Sequence, residues 1–167
     1  MAESKKSKPE IKIEKGRFFT LLFGIFTLML MLYSWFKIEY FETSMKYSIF
    51  HSDMFDLNAC LGLAKVFAII ALVIGILYVV AVAINFEKLV PGLKKFKFGF
   101  FRLFGLVFYG LVTLAYLFDM IGCISKEGVV PTFASIITFI IMIVAVLKYS
   151  VPAMFKVVEN KINITIE

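Results

Sequence analysis

A chain of 167 residues that is 61% hydrophobic carries more apolar surface than a soluble domain of its size can hide, since soluble domains hold roughly 45–50%. Its charged residues, 18% of the total, cluster between apolar runs, which excludes a soluble globular domain and reads as a polytopic membrane protein. The net charge of +6 fits one basic membrane face against anionic lipid and gives no reason to invoke nucleic acid.

In chain order, residues 1–17 are rich in Lys and Glu and form a basic cytoplasmic tail, either without fixed structure or lying on the inner surface. Residues 18–155 form the membrane domain. Its spans are expected at 18–36, 61–85, 99–122 and 129–150, around the apolar runs Phe18–Phe36, Val66–Ile84, Leu103–Phe118 and Val129–Leu147. A helix needs about 20 apolar residues to cross a hydrocarbon core of about 30 Å, and each run comes close. The first run exceeds the h-region of about 7–15 residues in a signal peptide and has no small-residue cleavage site after it, so it reads as an uncleaved helix. Tyr33-Ser34-Trp35-Phe36 then reads as an aromatic anchor at the outer interface.

The outer loop from Lys37 to Asn58 alternates, with Ile38, Tyr40, Met45, Tyr47 and Ile49 separated by Glu39, Lys46 and Ser48. A period of two with Glu42-Thr43-Ser44 as the turn predicts a short β-hairpin over the outer end of the bundle; a packed loop without ladder bonds is the alternative. Pro91-Gly92 marks a turn in the inner loop. Residues 156–167 form the C-terminal cytoplasmic tail, where Ile162, Ile164 and Ile166 alternate as in a short strand or partner-binding segment. Asn163-Ile164-Thr165 matches a glycosylation sequon that stays unmodified on the cytoplasmic side.

Basic residues set the orientation. Fourteen of the eighteen lie in the N-terminal tail, the middle loop with its flanks, and the C-terminal side; Lys37, Lys46, Lys65 and Lys126 lie on the other side. With six acidic residues on each side, the two faces carry +8 and −2. The positive-inside rule places both termini in the cytoplasm. The predicted fold is therefore an all-α integral membrane protein, a four-transmembrane-helix bundle, N-in/C-in, in the cell membrane. Each span carries a stripe of small or polar residues at helical spacing: Thr20, Gly24, Thr27, Met31 and Ser34; Ala64, Ala68, Ala71 and Gly75; Val112, Ala115, Asp119 and Gly122; Ser135, Thr138, Met142 and Ala145. Membrane helices associate through close packing at small residues, so these stripes mark inward faces.

Polar candidates gather at the outer edge. Cys60 and Cys123, the two cysteines, fall at the outer ends of spans two and three, where a disulfide can persist; two unpaired buried thiols are the alternative. Lys65 and Asp119 fall at matched depth, about 6–8 Å further in, and read as an interfacial ion pair or as residues marking the hydrocarbon edge. Cys60 and Lys65 lie about 140° apart around their helix, so bond and ion pair compete for orientation. His51, Asp53 and Asp56 form a weak metal candidate, since a structural site wants about four ligands. No hydrolase, zincin or Walker motif is present, and no cofactor is implied.

Four helices, internal termini and a β-segment in the first outer loop resemble the claudin and MARVEL architectures in topology. The loop has no glycine and no cysteine before Cys60, and Trp35 stands alone, so no functional residue is carried over. The expected function is non-catalytic: an accessory, scaffold or immunity-type subunit acting through a membrane protein partner or a homo-oligomer. The alternative is a small oligomeric channel or transporter with Lys65 and Asp119 near its outer mouth.

Overall fold

The computed structural model describes residues 15–40, 43–51, 54–90, 92 and 99–164. Most of the predicted N-terminal tail and Asp53 lie outside the described residues. The order is α1 (Lys15–Met31), β1 (Phe36–Tyr40), β2 (Thr43–Tyr47), α2 (Met54–Leu57), α3 (Ala59–Ala83), α4 (Phe86–Leu89), α5 (Phe100–Ile124), β3 (Val129–Pro131) and α6 (Phe133–Ile164). Helices α3, α5 and the Phe133–Ser150 part of α6 are long and apolar enough to cross a membrane, and α1 is a shorter apolar helix.

Helices α3 and α5 form the central pair, with α6 packed on α5 and α1 packed on α3. The sequence dictates this through its small residues. Ala64, Ala68, Ala71 and Gly75 are buried along α3, facing the buried Val112, Ala115, Asp119 and Gly122 of α5. Thr27, Met31, Ser135, Thr138, Met142 and Ala145 are buried on the outer two helices. Gly75 is the tightest point, since a Cβ there would lie 2.7 Å from Leu28 Cδ2 and 2.8 Å from Phe108 Cζ. At the far end of the central pair, the Leu61 side chain fills the space left by Gly122. The opposite faces are apolar and exposed, as at Ile69, Ile70, Val73, Ile76, Leu77 and Val80 on α3. Apolar exposure on this scale marks a surface that meets a membrane or another protein.

The sheet closes one end of the bundle in the order β2-β1-β3, antiparallel throughout. The predicted hairpin is present, but Thr43 and Ser44 belong to β2, and the Tyr40↔Thr43 pairing puts the connection at residues 41–42. Two further boundaries differ from the expectation. The first apolar run is not one helix to Phe36: α1 stops at Met31, and Phe36 opens β1. The fourth run begins as strand β3, and its helix starts at Phe133 and continues to Ile164, so residues 161–164 of the alternating tail segment are helical and the rest of that segment lies outside the described residues.

Gly75→Val should cost about 1–3 kcal/mol by overpacking, whereas Gly110→Ala, with open space around its Cβ, should be neutral or gain about 0.5–1 kcal/mol. Thermal unfolding of the two purified variants in one detergent checks both signs.

Candidate functional site

The polar groups of the bundle meet just beneath the sheet. After Met31 the chain turns inward, and Trp35, 1% exposed, lies flat on Tyr116 of α5 with ring centroids 3.8 Å apart and planes 8° from parallel. Its indole N–H donates to the Met31 carbonyl at 2.8 Å, and the Tyr116 hydroxyl donates to the Leu30 carbonyl at 3.3 Å. The Met31 carbonyl at the open end of α1 is thereby satisfied, and the Leu30 carbonyl, which also receives the Tyr33 backbone N–H at 3.2 Å, gains a second donor. The Trp35 backbone N–H donates to the Tyr47 carbonyl at 2.9 Å, which joins α1 to β2. The aromatic-anchor expectation therefore separates by residue: Tyr33 is exposed, while Trp35 and Phe36 are core.

Thr132 ties α6 to this junction. Its backbone N–H donates to the Trp35 carbonyl at 2.9 Å, and its hydroxyl donates to the Ser34 carbonyl at 2.8 Å, with the Trp35 carbonyl at 3.1 Å. The same hydroxyl accepts the Ser135 backbone N–H at 3.1 Å, which is an N-cap bond across the first turn of α6. The Ser135 hydroxyl donates to Asp119 Oδ2 at 2.9 Å, and Asp119 is fully buried. A second tie lies nearby: Asn58 caps α3 by accepting the Cys60 N–H at 2.7 Å and donates to Ser125 at the end of α5 at 2.9 Å.

The sequence-predicted residues distribute unevenly around this junction. Asp119 sits inside it, with Ser135 as its partner. Lys65 turns the other way and donates to the His51 carbonyl at 2.8 Å; it does not pair with Asp119. Both follow from the face of α3 that is buried, since Leu61, Ala64 and Ala68 point inward and Lys65 falls about 100° round from Ala64. The two cysteines are free thiols. Cys123 is buried, with its sulfur 4.0 Å from Asp119 Oδ1, while Cys60 precedes the inward Leu61 and sits half-buried beside it. His51 is exposed and packs edge-on to Tyr47 at 5.3 Å, Asp56 lies in α2, and Asp53 is outside the described residues. Among the described residues no group of three or more His, Cys, Asp or Glu gathers as a metal would require.

Thr132 and Tyr116 had no part in the expectations, although the Thr132-x-x-Ser135 capping spacing and the position of Tyr116 one helical turn before Asp119 are both visible in the sequence. Chemically the junction is a latch. Its carboxyl, hydroxyl and indole groups are all engaged within the fold, and at this end the edge strand β2 exposes Thr43 to Lys46.

No family model, curated protein or solved structure matches this chain.

Two outcomes test the latch. Ser135→Ala leaves a buried carboxyl oxygen without its donor and should cost about 1–3 kcal/mol; Trp35→Ala should cost about 3–5 kcal/mol. Both are read by thermal unfolding in detergent. In thiol labelling of the folded protein, Cys60 should react, Cys123 should react after unfolding, and mobility should not change on reduction.

Proposed function

We propose that this chain is an integral membrane protein of the cell membrane whose four helices cross the bilayer, N-in/C-in, and whose task is non-catalytic: an accessory, scaffold or immunity-type subunit that contacts a membrane protein partner through the sheet end. The exposed apolar faces of the helices support insertion, and the +8 and −2 charge division supports the orientation. The observation that carries the interaction reading is β2. It is an edge strand whose residues Thr43 to Lys46 are exposed, with Met45 at 59%, and it is held on a latched, rigid base. An edge strand offers a row of backbone donors and acceptors for strand addition, with alternate side chains available for specificity.

The rival reading, an oligomeric channel or transporter with Lys65 and Asp119 at its outer mouth, has less support. Asp119 is enclosed with Ser135, and Lys65 is turned to His51. A transport path needs ionisable groups facing a wet cavity.

Orientation and role separate experimentally. In a Cys60→Ser, Cys123→Ser background, Ser44→Cys should label from outside intact cells and Gly92→Cys only after permeabilisation. A photocrosslinker at Met45 should capture one stoichiometric membrane protein, with capture lost in Lys46→Glu combined with Ser44→Pro. Liposomes loaded with the pure protein should pass no selective current; a robust current abolished by Asp119→Asn would sink the scaffold reading.

A further inference from the structure

At the end of the bundle away from the sheet, α1 and α6 do not close on each other as the other neighbouring helices do. Between them lies a groove of about 710 Å³, lined by Phe19, Thr20 and Phe23 of α1 and by the stripe from Ile140 to Tyr149 of α6. From the geometry we propose that this groove holds an anionic phospholipid of the surrounding bilayer, with one acyl chain between the helices and the phosphate at Lys148. The proposal rests on the membrane reading above.

Three observations choose this occupant. The first is length. Ile140 to Lys148 spans about 12 Å of helix at about 1.5 Å per residue, close to the roughly 15 Å depth of one leaflet's hydrocarbon. The second is charge. The deeper wall is apolar, and among the described residues Lys148, at its last turn, is the one charge in the lining and no carboxylate joins it. Arg17 lies at the same end, with its guanidinium donating to the Ala83 carbonyl at 3.4 Å. Each basic side chain near an anionic surface contributes attraction that falls off within a Debye length. The third is shape. The lining runs along α6 from Ile140 to Tyr149 with Phe19, Thr20 and Phe23 of α1 on the facing side, an elongated apolar slot between two helices that an acyl chain can follow.

The wall behind the groove is also built for an amphiphile. Tyr149 stacks on Tyr109 at 5.4 Å and meets the Tyr78 hydroxyl at 3.3 Å, so the polar side of the lining beside Lys148 rests on a packed aromatic cluster. Ester oxygens next to a lipid phosphate are acceptors that the Lys148 ammonium can serve.

The full chain should first be floated with vesicles of phosphatidylcholine containing one part in four phosphatidylglycerol, then released and weighed by native mass spectrometry. The wild type should float and retain one phosphatidylglycerol. Lys148→Gln should float but lose the headgroup preference, with retention of phosphatidylglycerol falling about five-fold. Val144→Trp, at an exposed lining position, should float and retain no lipid of either kind. Matching unfolding temperatures confirm that both variants fold. Failure to float would overturn the membrane reading and this site together. Floating with unchanged phosphatidylglycerol retention in Lys148→Gln, equal retention of the two lipids by the wild type, or a lipid-free dimer would overturn the site alone.

Discussion

The indole of Trp35 lies flat on Tyr116 while its N–H caps the Met31 carbonyl, and the carbonyl of the same residue receives Thr132. Four elements therefore depend on one side chain and its backbone: α1 ends there, β1 begins there, α5 supplies the stacking surface, and α6 is launched from it. A helix that ends inside an apolar assembly leaves up to four carbonyls without partners, and burying each one unpaired costs on the order of 1–3 kcal/mol. The Met31 carbonyl escapes that cost through Trp35, and the Leu30 carbonyl through the Tyr33 backbone N–H, with Tyr116 as a second donor. Thr132 and Ser135 do the corresponding work at the start of α6.

This arrangement shapes what remains for function. The ionisable group buried deepest, Asp119, is occupied by a structural hydrogen bond, and the chemically distinctive residues of the sheet end are turned toward each other. What the molecule offers outward is geometry: an exposed strand edge at one end and, at the other, a shallow apolar channel bordered by a cation. Both surfaces depend on the rigidity of what lies beneath them. The close approach of α3 to α5 at Gly75 and Gly122 keeps the central pair fixed while the outer two helices diverge.

Much of this was legible in the sequence. The boundaries of α3 and α5 fall within two residues of the expected spans, because each apolar run is uninterrupted and longer than any soluble core helix of this chain would need. The small-residue stripes are buried except at Thr20 and Ser34, which are half-buried at the two ends of the first stripe, because only small residues permit that approach. The hairpin was legible through its period of two, although the turn sits earlier than Glu42-Thr43-Ser44 suggested. Strand β3 was not legible. It has three residues, one of them Pro131, and it exists only by pairing with β1 more than ninety residues earlier. The role of Trp35 was hidden for a related reason: hydropathy describes a residue's preference for an interface, whereas its burial is decided by Tyr116, which is remote in sequence. The matched depth of Lys65 and Asp119 was sound arithmetic along the axis, but their pairing required an azimuth that the packing of Leu61 and Ala64 had already taken.

Helix α6 runs unbroken from Phe133 to Ile164, 32 residues, or about 48 Å at about 1.5 Å per residue. A hydrocarbon core of about 30 Å accommodates only the first twenty or so. On the membrane reading the remainder extends past the hydrocarbon on the side away from the sheet, beginning near Pro152. Proline brings no N–H to the carbonyl four residues before it, so the helix lacks a rung where its emergent part begins, and the two parts of α6 can hinge there.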